Sequence, residues 1–377
     1  MRHERPERAT SSSNHMPHSM QAIQNRFDAL LSHNVQEPSR WPVRGLTWDL
    51  AARLLQRLDS VRLFGHAYPL LTNLTHGRYR PIDLLDFAWR HELDGVCIHL
   101  LDGEARSLSR MSDDELRIVA RRAETLGLAV HLEISSTARV DVDEAARIAQ
   151  VMAVRNLRVY ARYEGRLSAV MDRIEADLRY IAQLADRCDL HVDFEQHEEL
   201  KSAEIAALLR RVDHPRVNAL FDFGNMINAG EAPLQALRTL APHIRQVHMK
   251  GVRIVPEARG FGHYGVLQGS ADDALPGARM LFELLMLGED APQVIAFALE
   301  QENHYPAPAF RLIDEEPDPF IPYRAMSDTP LPAGYTVEQM MDGEERWAIN
   351  QIAYVRGMLR ELRVLAECAL RASPHSR

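Results

Sequence analysis

The chain has 377 residues, 46% of them hydrophobic, and its 44 Lys and Arg are outnumbered by 53 Asp and Glu for a formal net charge of -9. Such a chain can bury one large core, and its acidic balance argues against a phosphate-backbone surface, so no nucleic-acid partner is expected. Cys97, Cys188 and Cys368 lack the spacing of a zinc ribbon or redox motif, no run is apolar enough to span a membrane, and the N-terminus lacks a signal-peptide core; the expected location is cytoplasmic.

Residues 1–45 are expected to form an N-terminal extension, mobile over its polar opening, where His3, His15 and His18 make no ligand spacing, and amphipathic from Met20 to Leu31. Residues 46–377 then read as a single domain. A helix over Thr47 to Leu58 precedes the first strand, VRLFGH, which carries His66 and Tyr68 to its end. Pro81 opens the next helix and GVCIHL is the second strand. Ser112 and Glu115 make a capping box for a helix closed by Gly127, followed by the strand LAVHLEI. Residues 143–153 are helical by period and lead to LRVYA; a longer helix through Val170, Ile174, Leu178, Ile181 and Leu184 feeds LHVDFE.

Three apolar runs between residues 190 and 250 end on residues able to bind a metal: LHVDFEQH on Glu195, VNALFDFGN on Asp222 and IRQVHMKG on His248. A fourth, VIAFALEQENH, ends on Glu300. One such residue alone is a rim carboxylate or a helix cap. Four successive strand ends of this kind point to a single divalent ion: Mn by preference, or Mg, Zn or Co. The alternation of about eight strands with helices predicts an α/β protein, a closed (β/α)8 TIM barrel with its chemistry at the carboxyl ends of the strands. The absence of a glycine-rich dinucleotide fingerprint after the first strand disfavours a Rossmann enzyme.

Between the seventh and eighth strands GFGHYGVLQGS is expected to form a mobile loop that carries His263 and Tyr264 over the pocket. Residues 305–345 form a proline-rich insertion before the last helix, with Phe320, Tyr323 and Arg324 as candidate contacts to the pocket or to another subunit. The last helix is expected from Glu344 to Cys368, on a stripe that includes Ile352, Val355, Leu362 and Leu365.

At these strand ends the chain resembles the xylose isomerase-like TIM barrels, a group of sugar phosphate isomerases and epimerases, over roughly residues 60 to 300. Glu195, Gln196 and His197 are similar to a Glu-Asn-His pattern on strand five, and Asp222 to Asn225 to an Asp-x-Gly-His/Asn pattern on strand six. His248, Met249 and Lys250 match strand seven, which departs at Gly251, where the family has Asp. Glu300 matches strand eight, with Glu302 as its competitor. The resemblance implies that Glu195, Asp222, His248 and Glu300 hold one divalent ion, that Glu195 and Glu300 also transfer protons, and that the protein is a homo-oligomer. His66, His99, Glu133, His197, Lys250 and His263 are candidates for substrate binding. The expected activity on a small carbohydrate is isomerisation or epimerisation of a sugar or keto-sugar through a metal-stabilised enediolate. The alternative is a lyase, a dehydratase or decarboxylase, acting on an oxidised sugar through the same enolate.

Overall fold

The structure, a computed structural model, describes residues 19–323 and 331–372. Eight parallel strands close into a barrel: β1 (Leu63–His66), β2 (Gly95–His99), β3 (Ala129–Glu133), β4 (Asn156–Val159), β5 (His191–Glu195), β6 (Val217–Asp222), β7 (Ile244–Met249) and β8 (Ala296–Leu299). Each pairs with its neighbour in sequence, and β8 returns to β1 through Leu63 opposite Phe297 and Gly65 opposite Leu299. The strands are apolar almost throughout because one face meets the barrel interior and the other meets helices. Parallel pairing brings all eight carboxyl ends to one mouth, so the polar residues that end these runs converge there.

The helices follow local signals. Helix α3 (Pro81–Arg90) starts at its proline; α4 (Asp113–Leu126) has the Ser112–Glu115 box at one end and Gly127, at φ 68°, at the other. Between the later strands come α5 (Arg139–Met152), α6 (Leu167–Cys188), α7 (Ser202–Val212), α8 (Pro233–Leu240) and α9 (Gly277–Leu285). Before the barrel, α1 (Met20–Ser32) buries Ile23, Phe27 and Leu31 and α2 (Trp48–Asp59) buries Leu54 and Leu58. Both pack on the last helix, α10 (Val337–Ala372), and Arg26 of α1 grips Glu361 of α10 with two hydrogen bonds, the longer 2.7 Å. His3, His15, His18 and Arg324 lie outside the described residues.

Two expectations change. The glycine-rich stretch after β7 is not a loop: Phe261–Val266 is a strand, paired antiparallel with Gly251–Pro256 on one side and with Pro306–Ala307 on the other. Its glycines serve close backbone approach. A Cβ at Gly265 would strike the carbonyl of Glu302, and one at Gly251 would strike the backbone of Gln268. The last helix also starts earlier than its apolar stripe, at Val337, where Thr336 and Gln339 exchange hydrogen bonds as a capping pair. The insertion before it is partly ordered by strand pairing: Phe320–Ile321 pairs with Gly165–Arg166.

Inside the barrel, below the mouth, lies a polar layer. His131 Nδ1 is 2.6 Å from Gln246 Oε1, Gln246 donates to Asp193, and Arg245 donates to Asp193 at 3.0 Å and to Asn156 at 2.8 Å. The Phe64 ring covers His131.

Candidate metal centre

Strand alternation sets the upper layer. Two residues beyond His131, Asp193 and Gln246 on the same strand faces come Glu133, Glu195 and His248, all pointing inward at the mouth. His248 is fully buried; its Nε2 is 3.1 Å from Glu133 Oε1, while Nδ1 faces Glu300 Oε2 at 3.3 Å and Glu195 Oε1 at 3.5 Å. Burial would lower the His248 imidazole, but Glu300, Glu133 and Glu195 hold it protonated, well above the usual histidine range. Nδ1 would exchange that proton for a divalent ion while Nε2–H stays on Glu133, the carboxylate–histidine arrangement that commonly orients a metal ligand.

Asp222 ends β6 in a turn: its Oδ1 accepts the backbone N–H groups of Gly224 and Asn225, each at 2.8 Å. Its Oδ2 lies 2.9 Å from Lys250 Nζ, which is also 3.0 Å from Glu300 Oε2 and 2.8 Å from Glu302 Oε2. Arg158, from β4, bridges Glu133 and Glu195, with its Nε 3.2 Å from Glu195 Oε2. Five buried carboxylates (Glu133, Glu195, Asp222, Glu300 and Glu302) thus face two permanent cations, Arg158 and Lys250.

That imbalance shows in the acidities. Burial would raise the Glu133 carboxyl, but Arg158, His66 and His248 hold it well below the usual range; His248 and Lys250 do the same for Glu300. Burial raises Asp222 to about 6 and Glu302 to about 8, with Glu300 adding repulsion at both and Lys250 offsetting only part.

Glu195 Oε2, Asp222 Oδ2, His248 Nδ1 and Glu300 Oε2, one atom from each expected ligand, are sealed from solvent; Arg158 Nε approaches the first, Lys250 the second and fourth, and His248 Nδ1 faces Glu300. Ligand atoms of Glu195, Asp222 and His248 lie within 4.8 Å of one another. Three carboxylates and one imidazole suit a hard or borderline divalent ion, so these residues fit such a metal. A second close triple, His66, Glu133 and His248, is already joined by direct hydrogen bonds at 3.0 and 3.1 Å and by Arg158. It supports the first. Of the two glutamates after β8, Glu300 reaches His248 and His66 as well as Lys250, whereas Glu302 meets Lys250.

Above these atoms is a cavity of about 270 Å³ lined by His66, His99, His197, Lys250 and the two glutamates Glu195 and Glu300, among others. His66 takes the Tyr68 N–H on Nδ1 at 3.0 Å, so its Nε2 carries the proton toward Glu133. His99 likewise accepts the Leu101 N–H on Nδ1 and turns Nε2 to Ser135 Oγ at 2.9 Å. His197 stacks on Tyr160 with ring centroids 3.9 Å apart, and its Nδ1 is 2.7 Å from Glu199. Two expected substrate contacts sit elsewhere. Glu133 lies beneath the cavity, tied to Arg158, His66 and His248, and His263 is buried in the hairpin sheet with Nδ1 2.7 Å from Asn228 Oδ1. A larger hollow of about 700 Å³ along Tyr335 and Ile349 is an open surface feature away from these ligands.

Arg158 and Tyr160 were not singled out from sequence, and Asn225 was named only as the last residue of the strand-six motif. Arg158 had a signal, a guanidinium inside the apolar run LRVYA, where an unpaired charge is costly. Asn225, whose Nδ2 is 3.4 Å from Glu195 Oε1, had none beyond its motif.

Comparison with known proteins follows this geometry. The family described as xylose isomerase-like TIM barrel matches residues 91–298. The chain belongs to that family. It is 43% identical over 318 residues to the uncharacterized protein YihM of Escherichia coli (strain K12), spanning 84% of this chain and 97% of that one. A shorter likeness, 32% over 85 residues, covers 22% of this chain and 28% of an inosose dehydratase from Bacillus thuringiensis (strain Al Hakam). Among solved structures, the D-psicose 3-epimerase of Clostridium cellulolyticum H10, with D-tagatose, shares the fold at a TM-score of 0.53 and 13% identity, over 78% of this chain and 99% of that one. Among the described residues no helix is long and apolar enough to cross a membrane.

Proposed function

We propose that the protein is a divalent-metal-dependent isomerase or epimerase of a sugar or keto-sugar. The observation that carries this reading is the convergence of the buried Glu195, Asp222, His248 and Glu300 at the floor of a cavity, where carboxylates outnumber the permanent cations Arg158 and Lys250. A bound divalent ion would polarise a carbonyl and its neighbouring hydroxyl and offset the charge that develops when the proton between them leaves. Glu195 and Glu300 approach His248 from different strands, so one can remove that proton and the other return it. Glu133 and Arg158 position His248 and Glu195, and His66, His99, His197 and Lys250 offer hydrogen-bonding groups to hydroxyls.

A lyase is the second reading, favoured by the stretch shared with an inosose dehydratase and by Glu302, a further carboxyl on the cavity wall beside Glu300, able to protonate a leaving hydroxyl. Elemental analysis of the wild type beside the Glu195→Ala, His248→Ala double variant tests the shared premise: about one divalent ion per chain is expected, and none in the variant. Sugars and keto-sugar acids screened in deuterated water then separate the readings. Deuterium gain in a product isomeric with its substrate supports the isomerase, loss of water or carbon dioxide supports the lyase, and a wild type that neither holds nor takes up metal would sink both. A cytoplasmic homo-oligomer is proposed alongside; fractionation of cells and size-exclusion chromatography with light scattering would check it.

A further inference from the structure

The cavity above the candidate metal centre continues outward. A second hollow of about 310 Å³ adjoins it, and Tyr68, Leu71, Thr75, Glu302 and Tyr305 line both. The outer hollow also carries polar groups, among them Thr72, His76, Glu104 and Glu344, and its apolar side is built by the chain after β8, from Leu331, Pro332, Met340 and Trp347.

The aromatic part of that wall is held in place. His304 has φ 71°, a left-handed conformation that costs a non-glycine residue about 1 kcal/mol. Its ring centroid is 5.2 Å from those of Trp347 and Tyr335, and the Tyr264 hydroxyl is 3.0 Å from its Nδ1. Gly343 lies one turn before Trp347 on α10, and a Cβ there would come within 2.7 Å of the indole. Glycine therefore lets the indole lie back along the helix, partly exposed on the wall of the hollow.

At about 270 Å³ the inner cavity is smaller than most small-molecule sites, which span roughly 300–1,000 Å³, and the two hollows together fall within that range. A free monosaccharide at the metal centre would leave the outer hollow to water, and wetting an apolar aromatic wall is unfavourable. A flat ring covering Trp347 would gain both apolar burial and ring contact.

We propose that the substrate is a sugar bearing a ring-sized apolar substituent; where that substituent is a glycosidic aglycone it masks the anomeric carbonyl, so the ketone that the proton transfer needs lies elsewhere on the sugar ring. Its sugar sits at the barrel mouth and its substituent lies in the outer hollow against Trp347. The inference rests on the reading of the mouth as the sugar end.

The test is calorimetric binding to the metal-loaded full chain. Glucose, galactose and mannose are compared with their 4-nitrophenyl glycosides and with 4-nitrophenol alone, in wild type, Trp347→Ala and Trp347→Phe. At least one glycoside is expected to bind about tenfold or more tightly than its free sugar. Trp347→Ala should remove that advantage and Trp347→Phe keep most of it, with metal content and melting temperature showing that the variants are folded. Equal affinities for every sugar and its glycoside, or an advantage that survives in Trp347→Ala, would overturn the glycoside proposal while leaving the metal centre intact. If 4-nitrophenol binds at Trp347 but no sugar adds affinity, the sugar reading of the mouth fails as well. An aryl affinity that weakens as protein concentration rises would assign the hollow to a second copy of the chain and overturn the proposal.

Discussion

The barrel interior holds two polar layers, built by the same strands two residues apart, that differ in how well their groups are paired. The lower layer of His131, Gln246, Asp193, Arg245 and Asn156 is a chain of hydrogen bonds in which Asp193, the carboxylate, has Arg245 as its cation. The upper layer has five carboxylates for two permanent cations, and although each layer has buried atoms without an aligned hydrogen bond, Asp193 Oδ1 in the lower among them, only the upper has this surplus of carboxylates. Buried polarity alone therefore does not mark a site. A surplus of buried carboxylates over cations does, because like charges held together out of water are costly unless a cation joins them.

The contrast predicts opposite responses to substitution. The largest effect is expected in the upper layer, where the Glu195→Ala, His248→Ala double variant should lose its metal and all turnover, read by elemental analysis and by isomer formation. Folding should survive, since Arg158 keeps Glu133, and Lys250 keeps Glu300, as a partner. Next comes Asp193→Ala in the lower layer, which leaves Arg245 half-buried without its carboxylate; a loss of about 3 kcal/mol in urea-unfolding free energy is expected, with metal stoichiometry unchanged. Unchanged stability would mean that the lower layer is not the structural one.

Glu133→Gln separates orientation from ligation. It keeps an acceptor near His248 Nε2 but removes the charge, and metal affinity should fall about 10- to 100-fold without abolishing binding. Complete loss of metal would promote Glu133 to a ligand, and no change would remove it from the site.

The smallest effect is a pH dependence of the lower layer. Burial lowers His131 to about 4, with Arg245 and Arg62 adding to it and the Gln246 bond opposing it. Its unfolded value is near 6.5, so between about 6.5 and 4 the unfolded chain binds the extra proton and stability falls as pH falls. Replacing His131 with Gln should flatten the difference between unfolding free energies at about pH 7.5 and pH 4.5 by roughly 1–3 kcal/mol. If the variant loses as much stability on acidification as the wild type, His131 is not the group responsible.

Some of this was legible along the chain and some was not. The strand ends at Glu195, Asp222, His248 and Glu300 could be read because a polar residue closing an apolar run is a local pattern. The same holds for the Ser112–Glu115 box and for Gly127. The hairpin over Gly251–Pro256 and Phe261–Val266 was hidden, because glycines that suggest freedom in a sequence were there to admit the Glu302 carbonyl and the Gln268 backbone, partners distant along the chain. Arg158 and Lys250 were likewise undecided until closure of the barrel set one between Glu133 and Glu195 and the other among Asp222, Glu300 and Glu302. The sequence by itself determined the eight barrel strands, most of the helices between them and which residue types reach the mouth, since these follow from period, capping and alternation within a dozen residues. Only the tertiary structure decided which carboxylates are neutralised, which stay open to a cation and which histidine turns away, because charge balance is a sum over all eight strand ends.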